Sequence, residues 1–275
     1  MNKLSKLIKG LVIFSAFATF SILFIIIGYI LIKGIPYLKP SLFALEYTTE
    51  NVSLFPAIIT TLIMTFLALL IACPIGIFTG FYLVEYAKSD NRLVEIIRLT
   101  TETLSGIPSI VYGLFGLLFF VTTLGWSFSM AAGAFTLSIM ILPLIIRATE
   151  EALLAVPNTL REASFGLGAG KLRTIFKIVL PTAMPGILAG IILAIGRIVG
   201  ETAALIYTAG TVPQIPKNLF SSGRTLAIHM YSLSSEGLYT NQAYATAVVL
   251  LIVVIGINGL SSLIAKKLSK GDLNG

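Results

Sequence analysis

Six long runs of apolar residues constrain the fold of this chain more than any other feature of its sequence. A helix needs about 20 predominantly apolar residues to cross the hydrocarbon core of a bilayer. The runs therefore predict six transmembrane helices, near 11–32, 56–83, 107–124, 129–146, 186–208 and 243–264. The segments between them are too short to bury a soluble core of their own. We expect an all-α integral membrane protein with a single transmembrane domain over residues 1–275.

The charged residues agree with this class and predict an orientation. Of the 275 residues 11% are charged, against about a quarter in ordinary soluble domains. With the amino terminus inside, four of the 19 Lys and Arg residues fall in outer loops and one, Arg197, within a span, which leaves fourteen on the inner side. Because positive charge accumulates on the cytoplasmic side, both termini are expected there.

Several kinds of site are excluded by the residues themselves. The single cysteine, Cys73, cannot form an intrachain disulfide, and the single histidine, His229, cannot make a metal site by itself. The GLGAGKL run at 166–172 resembles a nucleotide-binding loop. That loop requires Gly and Ser or Thr where this chain has Phe165 and Leu172. We expect neither a cofactor nor ATP hydrolysis by this chain.

Glycines spaced four residues apart recur within the spans. The three pairs are Gly76 with Gly80, Gly186 with Gly190, and Gly196 with Gly200. This spacing allows helix backbones to approach closely. Glycine is also simply common in membrane helices, so either reading of a given pair stays open.

The inner segment 148–184 carries the most specific local signals. Pro157 ends one helix, and Thr159 with Glu162 has the capping-box spacing that starts another. One face of this second helix would be made of Leu160, Ala163, Ser164 and Leu167. A helix of about two turns is unstable alone in water, so it must pack on its own membrane domain or dock into a partner.

The same segment resembles the EAA loop of the permease subunits of ABC importers. The matching residues are Glu162, Ala163, Ser164, Gly168, Ile178, Leu180 and Pro181. Ser164 stands where the pattern usually has alanine. The resemblance implies a type I ABC importer permease fold with a cytoplasmic coupling helix, which sits in a groove of a separate ATPase subunit and transmits its closing motion.

Two further stretches are similar to the permeases of phosphate ABC importers, SGIPSIVYGLFGL at 105–117 and GRIVGETAALIYTAG at 196–210. The run ETAALIYTA looks more like the PstA subunit than the PstC subunit, although PstA usually has proline at the position of Ala204. The resemblance implies a phosphate importer of a bacterial or archaeal plasma membrane. Its other subunits would be a PstC-like permease, two PstB-like ATPase subunits and an external PstS-like phosphate-binding protein.

Two charged residues, Arg197 and Glu201, lie near the middle of the predicted span 186–208. A charge at the midplane costs about 2.5–3.5 kcal/mol on insertion scales. Glu201 follows Arg197 by one helical turn, so the two are expected to pair, and the pair is then structural. Alternatively, the guanidinium binds an oxyanion on the substrate path and Glu201 competes for it, so that the anion is released.

Arg147, at the inner end of the fourth predicted span, is a third candidate for the substrate path. By residue type it is equally an anchor at the inner surface. The resemblance favours transport, because phosphate permeases carry an arginine at this IIR position. Arg224 in the last outer loop could help to receive an anion at the entrance, although a solvated loop charge is the favoured interpretation. We interpret His229, Cys73 and Trp126 as packing or interface residues.

Other functions stay open at this point. Importers of many substrates share the EAA loop, so the cargo could be another small oxyanion such as sulfate or molybdate. A passive anion channel or a membrane scaffold without an ATPase would also have apolar spans. A channel or a scaffold without an ATPase would not need a short helix on the inner face that recruits a nucleotide-binding subunit.

Overall fold

The computed structural model describes residues 3–87 and 91–271. Lys88, one of the basic residues assigned to the inner side, and the extreme ends of the chain lie outside the described residues. Within those ranges the chain forms eleven α-helices, which are α1 (Lys3–Gly34), α2 (Phe55–Phe81), α3 (Arg92–Ser105), α4 (Ser109–Gly116), α5 (Met130–Leu154), α6 (Asn158–Gly166), α7 (Lys171–Thr174), α8 (Leu180–Val199), α9 (Ala203–Ile206), α10 (Leu226–Glu236) and α11 (Thr240–Gly271).

Short turns of other helical types extend several of these helices. Two 3₁₀ turns, Ile35–Tyr37 and Pro40–Phe43, follow α1. A π-helical turn, Tyr82–Tyr86, prolongs α2, and another, Leu117–Thr123, prolongs α4. A third, Ile175–Val179, joins α7 to α8 without a break.

Among the described residues, five helical segments are long and apolar enough to cross a membrane. They are Leu7–Tyr37, Phe55–Tyr86, Met130–Leu154, Lys171–Val199 and Thr240–Leu263. The predicted span 107–124 corresponds to α4 and its extension, which qualify only together with α3. These two helical pieces are bent by 103°. The bend falls at Pro108, which has an extended backbone and no N–H to continue a helix.

The predicted span 186–208 differs most from the structure. Helix α8 ends at Val199, and Gly200 caps it. The apolar run continues, but Thr202 has φ −122° and ψ −53°, and the separate helix α9 begins after it. Glycine is a weak helix former, and here it marks the break. Arg197 therefore lies in the last turn of α8 rather than in the middle of a continuous helix.

Two of the three glycine pairs bring helices together. A side chain at Gly76 would strike Ile145, and one at Gly80 would strike Thr149, so α2 and α5 run parallel and in close contact. Gly186 and Gly190 likewise allow α8 to approach α5 closely, because a side chain at either glycine would strike an alanine of α5. Gly196 and Gly200 meet no neighbouring helix backbone. The main apolar core lies between α2, α4, α5, α8 and α9.

Candidate substrate path and coupling surface

The packing of α8 on α5 gives the depth of Arg197. A side chain at Gly186 would strike Ala152, and one at Gly190 would strike Ala148, so the two helices are antiparallel. In this antiparallel pair, each residue forward along α8 lies opposite one residue back along α5. Arg197, seven residues after Gly190, is therefore at the level of Ile141, seven residues before Ala148. That level is close to the middle of α5, which runs from residue 130 to residue 154.

Arg197 lines a cavity between α5, α8 and α11. The cavity has a volume of about 590 Å³, and its other lining residues are Leu144, Ala189, Ile192, Leu193, Gly196 and Asn258. No described carboxylate lies within ion-pair distance of the guanidinium. The last turn of a helix favours a cation by about 0.3–1 kcal/mol, because the carbonyl ends carry partial negative charge. This is less than the roughly 2.5–3.5 kcal/mol that insertion of the charge costs.

Glu201 does not pair with Arg197, so the predicted ion pair is wrong. The side chain of Glu201 is 9% exposed. Its Oε1 accepts a hydrogen bond from the backbone N–H of Ala204 at 3.0 Å. The prediction assumed that the helix continues through residue 201, whereas the break after Val199 turns the carboxylate onto the start of α9.

We expect the substitution Glu201→Ala to destabilise the chain by about 1 kcal/mol, the usual cost of losing a helix cap. Glu201→Gln keeps an oxygen at the same position and should stay within a few tenths of a kcal/mol of the wild type. The midpoint of thermal unfolding of the purified protein measures both. Equal losses in the two variants would contradict a capping role and point to the charge of Glu201 instead.

Arg147 lies on the same side of α5 as the Arg197 cavity. Leu144 lines that cavity, and Arg147 follows Leu144 by one turn towards the inner end. Its level is six residues, or about 9 Å, further inward than Arg197. Nε of Arg147 bonds to Oε1 of Glu151 at 3.2 Å, and both side chains are exposed. Arg147 lines a separate cavity of about 270 Å³ with residues of α3, among them Arg98 and Glu102, so the structure does not place it in the Arg197 cavity.

The short helix of the inner loop is present as α6, but its predicted cap is wrong. Pro157 is the N-cap and no side chain bonds to the first turn. Thr159 already belongs to the helix, so it cannot cap it. Proline supplies the fixed φ and the missing N–H that suit a helix start. The helix ends at Gly166, and Gly168 follows with φ +79°, a conformation that glycine adopts without strain.

Helix α6 presents a mixed polar and apolar face away from the rest of the chain. Glu162 and Ala163 are exposed, and the C-cap residue Leu167 is 89% exposed. Ser164 instead faces inward, where its hydroxyl lies 2.8 Å from that of Thr174. The serine thus holds α6 on α7. The prediction that Ser164 shares one face with Leu160, Ala163 and Leu167 is therefore wrong for the serine. Ile178, Leu180 and Pro181 are partly buried where α7 passes into α8.

Arg161, which the sequence did not single out, fixes α6 to the inner end of the second span. Its Nη2 and Nε contact Oε1 of Glu85 at 2.7 and 3.1 Å. It also donates to the carbonyls of Val156, at 2.8 Å, and Leu153, at 3.0 Å. The two charged side chains are 13% and 9% exposed. The sequence shows an arginine directly before the EAA motif, but it does not show the partner of that arginine, because Glu85 lies 76 residues away.

Arg224 is buried rather than solvated, so that interpretation is wrong. Its Nε donates to the carbonyl of Thr211 at 2.7 Å, and its guanidinium carbon is 5.7 Å from the centroid of the Tyr47 ring. His229 meets the same ring edge to face. Burial first, and the Arg224 charge second, lower the pKa of His229 to about 4. The histidine is therefore neutral at physiological pH and packs in the outer part of the molecule.

Candidate membrane spans with a short exposed helix between the third and fourth of them are the architecture of the permease subunits of type I ABC importers. A solved bacterial alginate ABC transporter, in complex with its alginate-bound periplasmic protein, has the same fold. The TM-score is 0.67 at 16% sequence identity, and the match covers 98% of this chain and 99% of that chain.

The sequence identifies the family. Residues 72–270 match the binding-protein-dependent transport system inner membrane component family, and the chain belongs to it. It is 34% identical to the probable ABC transporter permease protein YqgI of Bacillus subtilis, over 96% of this chain and 97% of that protein. It is also 34% identical to the phosphate transport system permease protein PstA of Haemophilus influenzae, over 92% of this chain and 91% of that protein.

Proposed function

We propose that this chain is a PstA-like permease subunit of an ATP-driven importer of inorganic phosphate. It forms the translocation path with a homologous PstC-like subunit, and both of its termini lie on the cytoplasmic side. An external PstS-like protein delivers phosphate, and two PstB-like subunits hydrolyse ATP. The chain itself is expected to contribute no nucleotide site, because Phe165 and Leu172 stand where a phosphate-binding loop requires Gly and Ser or Thr. The relatives named as phosphate permeases support the cargo.

The observation that carries the proposal is the position of Arg197. The guanidinium lies at the level of mid-α5, on the wall of a cavity, with no described carboxylate beside it. The helix end offsets about 0.3–1 kcal/mol of an insertion cost of about 2.5–3.5 kcal/mol. The remaining cost requires a polar environment, so this face cannot lie against lipid. A path that carries hydrated oxyanions meets that requirement.

The rest of the same face supports a path shared with a second subunit. Along α8 the exposed residues near Arg197 include Ala189 and Gly200, with Leu193 between them. Small residues permit close approach of a neighbouring helix. Arg147 lies about 9 Å further along α5 in a neighbouring cavity, where a second fork of donors can receive the anion. Glu151 then competes for the Arg147 guanidinium at the inner end, which favours release.

The proposed cargo is tested by uptake measurements in phosphate-starved cells that lack their own copy of this chain. We expect the wild-type chain, expressed with its partner subunits, to restore ATP-dependent accumulation of labelled phosphate. A tenfold excess of sulfate or molybdate should leave the rate unchanged. Equal displacement by sulfate would contradict phosphate as the cargo, and uptake that persists without ATP would contradict the importer class.

Attachment of the ATPase is proposed to depend on the exposed face of α6. We expect Ala163→Asp to reduce co-purification of the ATPase about tenfold or more, because it buries a charge in an apolar contact. The chain itself should stay in the membrane, since Ala163 is exposed in the isolated chain. Ala163→Ser, a small change at the same position, is the matched control and should retain the ATPase. Full retention by both variants would contradict this docking face.

A further inference from the structure

A second polar residue shares the Arg197 cavity, and neither composition nor motif pointed to it. Asn258 lies within the apolar segment Thr240–Leu263 of α11. Its Oδ1 is buried and has no hydrogen-bond partner among the described residues. A buried amide oxygen without a partner is destabilising, so packing alone does not account for an asparagine at this position of a membrane helix.

Asn258 lies opposite Gly196, the residue before Arg197. A Cβ built on Gly196 would be in ordinary van der Waals contact with Nδ2 of Asn258, at 3.9 Å. The amide nitrogen therefore lies close to the part of α8 that carries the arginine. Asn258 and Arg197 both line that cavity, of about 590 Å³. The two side chains thus reach it from different helices, α11 and α8.

We propose that Asn258 is a second oxyanion-binding residue of the substrate path, acting beside Arg197; this inference rests on the proposed function. A guanidinium offers hydrogen-bond donors only, whereas a carboxamide offers both donors and an acceptor. Nδ2 donates to an anion oxygen, and Oδ1, which is buried in the substrate-free chain, accepts from a hydroxyl once the amide turns towards the cavity. Protonated phosphate carries such a hydroxyl at neutral pH. The anion thereby supplies the partner that Oδ1 lacks within the protein.

Two substitutions at Asn258 separate substrate binding from packing. Asn258→Leu keeps the approximate volume and removes both hydrogen-bonding functions. Asn258→Asp keeps the shape but places a carboxylate beside Arg197, where it neutralises the guanidinium and repels the anion. Contact with the anion predicts that both variants lose phosphate uptake about tenfold or more per assembled complex. A packing role predicts that the leucine variant, which keeps the volume, transports normally, whereas the aspartate variant loses uptake through Arg197 in either case.

The matched control is Asn241→Leu, the same substitution at an exposed position near the outer end of α11. Uptake of labelled phosphate is measured at equal complex abundance, with the ATPase and the partner permease present. Loss in both Asn258 variants with a normal control supports the inference. Near-normal uptake in Asn258→Leu overturns it and leaves the proposed function intact. A wild-type chain that restores no phosphate uptake overturns the proposed function, and this inference with it.

Discussion

Replacement of Arg197 by glutamine should abolish phosphate uptake while the complex still assembles. Glutamine keeps most of the length and one amide donor group but removes the charge and the planar fork that binds two oxygens at once. The loss of a bidentate charge-assisted contact in a low-dielectric site predicts a fall of about a hundredfold or more. Uptake of labelled phosphate in starved cells, at matched membrane abundance and matched ATPase co-purification, measures it.

Two further variants show whether this effect belongs to the guanidinium. Arg197→Lys keeps the charge but not the fork, and we expect an intermediate loss of about tenfold. Arg92→Gln is the matched control, because Arg92 is an exposed arginine at the start of α3, away from the cavity. Normal uptake in Arg197→Gln would make the arginine structural, and the assignment of phosphate would then depend on sequence similarity alone.

The spans were predictable because apolar length alone is a strong signal. Helix α3 was not, because its charged residues, among them Arg92, Glu95 and Arg98, place it below the apolar threshold of a span. It is an amphipathic helix, and such helices are recognised from apolar residues that recur every 3.6 residues, not from a high mean hydropathy. The inner loop was recognised from its motif, and the structure adds that Gly168 of this motif has a positive φ, which glycine adopts without strain.

The arrangement around Arg197 was predicted only in part. Its depth followed from the apolar run, but its pairing with Glu201 depended on a helix that continues past Gly200. A single break in the helix changes the direction of every side chain that follows it. The hydropathy of the run does not predict the break, because the residues on both sides of it are apolar. Asn258 was not predicted at all, since a lone amide in an apolar span acquires meaning only when packing places it beside the arginine.

The buried ion pair of the coupling loop should carry the largest effect on stability. Arg161→Ala leaves the Glu85 carboxylate and two backbone carbonyls without their donor, and Glu85→Gln leaves the guanidinium without its anion. Removal of one partner from a buried pair typically costs about 3–5 kcal/mol. We therefore expect each variant to lower the midpoint of thermal unfolding and to weaken ATPase co-purification, since α6 is no longer held against the inner end of the second span.

Arg98 offers a matched control for this prediction. Its ion pair with Glu150 has the same shortest distance as the Arg161 pair, 2.7 Å, but the Arg98 side chain is 50% exposed. Exposed pairs contribute about 0–1 kcal/mol, because water screens them, so Arg98→Ala should change the unfolding midpoint little. The double variant of Arg161 and Glu85 should lose less than the sum of the single losses, because the partners are in contact. Equal and small losses in Arg161→Ala and Arg98→Ala would mean that burial adds nothing to the pair and that α6 is held by its apolar contacts.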